Sequence, residues 1–374
     1  MTSLFESEIE LFPASLPEIH QRVRQIDPVK YGRTRNFANG SVTRLSPYIS
    51  RGVLSTRTIL KQVLDRGYDP KQIEKFIQEL AWRDYWQQIW IARKDEINSD
   101  LKHTHSRVSN YGIPKALLSA QTGIEALDKA LEEFYDTGYV HNHMRMYLAS
   151  VACNIGQSHW KVPAQWMYYH LLDADWASNA LSWQWVAGSN SHKKYYANQE
   201  NINRYFFSEQ RDTFLDVPYE KFEHMEIPEV LADYEVPVLT TPLPEKTRIT
   251  MESELPTLIY NFYNLDPEWK KDLPAIRILV LEPSVFKAYH ISKKSVDFML
   301  GLAEKIQGIQ VYVGEFTELV RDHDLGTVYY KEPPLNKHYR GIEEPRDWMF
   351  DVKGYYPSFF SFWKKCKKEM GLPK

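Results

Sequence analysis

The run Asp173-Ala174-Asp175-Trp176-Ala177-Ser178-Asn179-Ala180-Leu181-Ser182-Trp183-Gln184-Trp185 sets two acids, an asparagine and three tryptophans within thirteen residues. Packing alone does not explain it, because a buried carboxylate is costly unless a cation or a hydrogen-bond donor meets it. Three upstream segments carry groups of the needed kind. Thr137-Gly138-Tyr139-Val140-His141-Asn142-His143-Met144-Arg145-Met146 places His141 and Arg145 one helical turn apart, and Asn142 and Met146 likewise. In Glu79-Leu80-Ala81-Trp82-Arg83-Asp84-Tyr85-Trp86, a helix brings Glu79, Trp82 and Arg83 to one face. A carboxylate, an indole and a guanidinium so arranged suit a planar heterocycle bearing a phosphate. Core packing is the other reading, since Trp82, Trp86 and Trp90 recur every four residues. Thr43-Arg44-Leu45-Ser46-Pro47-Tyr48, then Arg51-Gly52-Val53-Leu54-Ser55, sets hydroxyls and amides where a turn enters a helix. That is an anion site or simply a helix cap.

Aromatic residues make up 14% of the 374, with 11 Trp and 24 Tyr, enough for a large core and for ring stacking or electron passage besides. The apolar 43% and charged 25% are those of a soluble globular protein, and no run of about 18 apolar residues offers a membrane span. The acidic start MTSLFESEIELF lacks the basic-then-apolar layout of a signal peptide, so a cytoplasmic location is expected. Cys153 and Cys366 are too few for an iron–sulfur cluster, which needs about four thiolates, and a structural disulfide is not expected in that compartment. His141 and His143 have no third ligand at suitable spacing, so no metal is expected. Net charge is −3, yet Arg22 to Lys61 holds nine Lys and Arg against the single acid Asp27. A basic face of that size can hold phosphates whatever the overall sign, or can simply be solvated.

Residues 1–226 read as a helical domain, from apolar spacing in Ile73–Trp90, Gly123–Tyr135 and Val140–Ile155 and from turns such as Asn39-Gly40 and Gly188-Ser189. Residues 227–270 carry Pro228, Pro237, Pro242 and Pro244 without periodicity and read as a linker. In 271–374, strand-like Ile276–Leu281, Ile309–Val313 and Thr327–Tyr330 alternate with helical Lys293–Ile306 and Phe316–Asp322, which predicts a small parallel α/β unit. It has no glycine-rich phosphate loop, so a dinucleotide is not expected there.

Taken together and in this order, the four segments resemble the FAD-binding domain of photolyases and cryptochromes over about residues 31–200. The fold class this implies is mainly α: a photolyase-like helical FAD-binding domain followed by a small α/β unit. The cofactor implied is FAD, bound bent. Tyr31, Arg44, Leu45 and Ser46 would hold its phosphates and ribityl chain, and Phe76 stands where relatives often have Trp. Arg83 would bind on the phosphate side, Asn142 would touch the adenine or the substrate, and Arg145 with Asp173 would flank the isoalloxazine. Asp175 would lie beside the ring edge, and Asn179 would face flavin N5.

Glu79, Trp82, Asn142, Met146 and Trp185 match the residues that line a flipped-out pyrimidine dimer in relatives that repair cyclobutane dimers. Glu79 and Asn179 would then be catalytic, with Trp183 and Trp160 passing electrons inward. No Trp stands at the third, outer place around Arg107 to Tyr111, where Tyr111 is the available aromatic. Relatives carry an α/β antenna domain ahead of this region, whereas here the α/β unit follows it and resembles part of such a domain moved to the other end. The resemblance implies a monomeric, metal-free deoxyribodipyrimidine photo-lyase that repairs cyclobutane pyrimidine dimers in single- or double-stranded DNA with light. The alternatives are a cryptochrome-like blue-light photoreceptor and a non-catalytic nucleic-acid binder using the Arg22–Lys61 face. Pterin or deazaflavin binding by the α/β unit is a further, weaker implication.

Overall fold

The computed structural model describes residues 11–191, 193–252 and 254–372. The N-terminal part is built from α1 (Thr56–Leu64), α2 (Glu74–Arg93), α3 (Glu125–Thr137), α4 (Asn142–Ser150), α5 (Lys161–His170) and α6 (Trp176–Ala187), with short helices at Pro28–Thr34 and Ser46–Ser50. No described helix is long and apolar enough to cross a membrane.

The central helix is α2. Free of Gly and Pro for twenty residues, it packs against α1, α6 and Pro28–Thr34, so it is buried on most sides and even Asp84, Gln87 and Gln88 lie inside. Asp175 caps α6 by accepting from the Ser178 amide, and Gly188, at φ 86°, ends it. Beyond α4 the chain widens into one π turn, Val151–Ile155, closed by the Gly156 amide on the Val151 carbonyl.

In the C-terminal part, β1 (Thr257–Tyr260), β2 (Ile276–Leu281), β3 (Ile309–Val313), β4 (Val328–Lys331) and β5 (Ile342–Glu344) form a wholly parallel sheet in the order β3-β2-β1-β4-β5. Helices α7 (Lys293–Ala303) and α8 (Phe359–Glu369) and the helix Phe316–Asp322 complete the unit. The strand and helix expectations hold within a few residues. The linker expected over 227–270 needs correction. Glu229–Ala232 is helical, Tyr234–Glu235 pairs back on Ile113–Pro114, and β1 is the central strand of the sheet. Four residues are too few for periodicity to reveal a strand, even one buried throughout.

Sheets of this order take ligands where the strand order reverses, at the carboxyl ends of β1 and β4. Here the tip of β1 meets the helical part instead. The fully buried Arg51 guanidinium lies 3.2 Å over the Phe262 ring, and the Tyr263 hydroxyl donates to the Ala174 carbonyl at 3.1 Å. The Leu265 amide bonds the Arg51 carbonyl. One apolar core runs from Ile19 through Trp90 and Trp176 to Met299 and Trp363, while Ile259, Ile278, Phe316 and Tyr339 belong to a smaller cluster.

Of the nine cations over Arg22–Lys61, four are paired or buried, while Arg24, Lys30, Arg33 and Arg44 stay exposed. Arg51 is buried, Arg35 pairs with Glu79, Arg57 with Asp347 and Asp351, and Lys61 with Asp65. Most of those acids lie far along the chain, out of reach of a local charge count.

Two outcomes follow from this junction. A Cβ on Gly52, at φ +74°, would lie 2.7 Å from the Tyr263 carbonyl oxygen, so Gly52→Ala should cost roughly 1–3 kcal/mol, read as a lower midpoint in denaturant. Asp84 is held by Thr56 and the Met349 amide, and burial pushes its carboxyl up to about 6 against the ordinary 3.8. Between these values the folded protein keeps a proton that the unfolded chain has released. Its contribution to stability is therefore greatest below about pH 4 and falls through about pH 6, by roughly 3 kcal/mol at most. Asp84→Asn should flatten that decline when denaturation midpoints are compared at pH 5 and pH 7.

Candidate functional site

The loop between α5 and α6 brings the acids of the Asp173–Trp185 run to the middle of the helical part. Ala174 is held at φ 22°, a conformation an L residue rarely adopts. Arg51 stabilises it by donating to the Asp173 and Ala174 carbonyls at 2.7 and 2.9 Å. Burial lowers this guanidinium's pKa to about 10, which leaves it charged at neutral pH.

That turn sends two buried carboxylates toward different partners. Asp173 accepts from Arg145 at 2.9 Å. Burial pushes its carboxyl upward, but Arg145, Arg83 and the Ser46 hydroxyl outweigh that and hold it below the ordinary value. Asp175 accepts from Arg83 at 2.6 Å, from the Gln87 amide at 2.8 Å and from the Ser178 amide at 3.0 Å. Arg83 thus acts on both acids. One turn into α6, Asn179 gives its side-chain NH2 to the Ala164 carbonyl at 2.7 Å, which fixes the carboxamide and leaves its oxygen for another group.

Around this floor stand the other residues singled out in the sequence. Tyr31 meets Phe76 edge to face at 5.3 Å, and its hydroxyl feels Glu79, Arg35 and Tyr139. Tyr139 in turn feels Arg145, Arg44 and Asp173, so the ring of groups closes. Arg44, like Ala174, has positive φ, 53°. Ser46–Ser50 is a helix of five residues, and the Ser46 hydroxyl at its start bonds Asp173. Leu45 is buried, Asn142 is exposed, and Met146 is partly covered.

Glu79 pairs with Lys75 at 2.8 Å and Arg35 at 3.4 Å and stays partly exposed. Trp185 opens to solvent at the end of α6. Trp82 is placed differently from a free stacking platform: it lies 3.6 Å from Phe359 of α8, the planes 10° from parallel, and meets Trp86 at 5.0 Å. Sequence reasoning could not find Phe359, which lies far downstream in an unassigned segment.

Trp183 and Trp160 are buried, and the Trp160 indole is fixed by Asp100 at 2.8 Å. Outward from Trp160 come His159, at 5.6 Å between ring centres, and then Tyr111 stacked on His159 at 5.3 Å and 69% exposed. His141 and His143 are engaged separately. His141 accepts from the His143 amide, and burial and neighbouring positive groups bring its pKa down to about 4. His143 contacts the Asn36 carbonyl and Tyr195. Among the described residues no group of three or more His, Cys, Asp or Glu could hold a metal ion.

The donor set fits a flat, polar, anionic cofactor. Arg83 and Arg145 are only partly covered, 17% and 19% exposed, although their carboxylate partners are almost fully buried. The Ser178 hydroxyl, whose backbone amide bonds Asp175, is buried with no hydrogen-bond partner among the described residues.

Residues 76–242 match the family model for the FAD binding domain of DNA photolyase. A deoxyribodipyrimidine photo-lyase of Streptomyces griseus is 32% identical over 41% of this chain and 34% of its own length. A cryptochrome DASH of Ostreococcus tauri is 30% identical over 42% of this chain and 30% of its own. The solved structure of a Synechocystis cryptochrome superposes with a TM-score of 0.45 at 25% identity, covering 50% of this chain and 42% of that one. The chain therefore spans about a third of the length of the curated relatives it matches. With its Arg145–Asp173 and Arg83–Asp175 pairs, this helical region is similar to the FAD-binding domain of DNA photolyase, and FAD is the cofactor that match implies.

Proposed function

We propose that the chain repairs cyclobutane pyrimidine dimers in DNA by light-driven electron transfer. The observation that carries this is the fixed Asn179 carboxamide, one helical turn after Asp175, together with the arginine–carboxylate pairs Arg145–Asp173 and Arg83–Asp175. Reduced FAD, when bound, absorbs blue or near-UV light and supplies one electron to the dimer and recovers it after the ring splits.

The protein's own part is to hold and to exclude. Arg145 favours the ionised form of Asp173, and these two would flank the isoalloxazine; Asn179, its NH2 held by Ala164, would offer its oxygen to the flavin. Arg83 was assigned to the phosphate side by resemblance. Arg83 would act there while paired with Asp175, and Tyr31, Arg44, Leu45 and Ser46 would hold the ribityl and phosphate end. Phe76 backs Tyr31. The dimer, which unstacks more readily than an intact step, would be flipped toward Glu79, Asn142, Met146 and Trp185. All four are at least partly open to solvent. With Phe359 on one face, Trp82 would meet the dimer by its edge or its other face. Trp183 and Trp160 are the inner relay that keeps the cofactor reduced, and the stacked Tyr111 stands at its outer end.

Purified protein should be yellow, and after photoreduction should restore thymine-dimer oligonucleotides under blue light and not in darkness. Glu79→Ala should lower repair at least tenfold while leaving the flavin spectrum and its photoreduction unchanged. Dimers that persist under illumination, with reduced flavin confirmed, would overturn the proposal and favour a signalling photoreceptor.

A further inference from the structure

Helix α8 has two faces of opposite character. Phe359, Phe362, Trp363 and Cys366 point inward, and Phe359 lies on Trp82. Outward, Phe360, Lys364 and Lys368 follow one another at four-residue spacing along a single stripe. Phe360 is 69% exposed, and its ring centre is 5.7 Å from that of Phe359. Alongside runs an open groove of about 460 Å³ lined by Lys353, Tyr356, Lys365 and Lys368 together with Asp351, Val352 and Glu369. Its two acids are already engaged: Asp351 pairs with Arg57, and Glu369 accepts from the Asp351 amide. Lys353, Lys364, Lys365 and Lys368 are exposed and have no carboxylate partner among the described residues. Tyr355, 44% exposed, adds a second ring nearby.

Unpaired cations beside exposed rings suit a strand of nucleic acid, whose phosphates and base faces need these two kinds of contact. We infer that the outer face of α8 and its groove bind a single strand of DNA, next to the site that contains Trp82. The surface lies outside the matched residues 76–242 and is supplied by this chain's C-terminal part. The inference rests on the proposed nucleic-acid substrate but makes a separate claim about where the strand runs.

The test compares wild type with the triple variant Phe360→Ala, Lys364→Gln, Lys368→Gln in the full chain with FAD bound. Fluorescence polarisation is read with a single-stranded oligonucleotide, with and without one thymine dimer, over a salt series. All three side chains are exposed, so far-UV circular dichroism and flavin content should be unchanged. Affinity for both oligonucleotides should fall about tenfold or more from loss of one stacked base. The salt slope should shrink by about 1.4, two phosphate contacts at about 0.7 each. Wild-type preference for the dimer should persist in the variant. Equal binding by variant and wild type would overturn the inference. Loss in the variant without any dimer preference in wild type would support this surface while sinking dimer repair. A wild type that binds no oligonucleotide would overturn both.

Discussion

A guanidinium with no exposed surface holds the molecule together. Arg51 grips the two carbonyls of the Asp173–Ala174 turn, and its flat cation rests on Phe262. Among the described residues no carboxylate is hydrogen-bonded to it, and its charge is met by carbonyl dipoles, ring faces and the nearby Asp173 and Asp175. Those contacts hold Ala174 in its unfavourable backbone conformation. The acids on either side then diverge, Asp173 to Arg145 and Asp175 to Arg83. If the turn relaxed, the carboxylates would lose their separate partners, and the floor of the flavin site would have no fixed shape.

A second strut reaches the same floor from the other side. Gln87 donates to Asp175 and accepts from Arg346, whose guanidinium is desolvated at the junction and also feels Asp175, Asp84 and Glu332. One amide thus connects a residue of the C-terminal unit to an acid of the cofactor site. The crevice that parallel sheets of this order keep for ligands is spent here on protein contacts. That favours a supporting role for this unit over pterin or deazaflavin capture at that position.

Much of this was legible in the sequence, and for identifiable reasons. The Asp173–Trp185 run advertises itself because acids beside tryptophans inside an apolar stretch need partners, and Arg145 and Arg83 are the partners found. Strands β2 and β3 were visible as short apolar runs between helices. The roles of Arg51, Gln87, Arg346 and Phe359 were not visible. Each acts across a long sequence separation through a contact that no local periodicity encodes. The basic run from Arg22 was legible only in part: Arg35, Arg57 and Lys61 meet separate acids, two of those partners lying across the fold, while Arg24, Lys30, Arg33 and Arg44 stay exposed.

The apolar core that passes from α2 and α6 into α7 and α8 without a break has a consequence for how the molecule comes apart. Heat that melts the sheet also strips the cover from α2, so neither half has an independent melting point to fall back on. A flavin domain cut free after the helical region would expose Trp82, Tyr85 and the Asp173–Ala174 turn to water. The α/β unit is in this sense a permanent cover of the helical part, joined to it through one core.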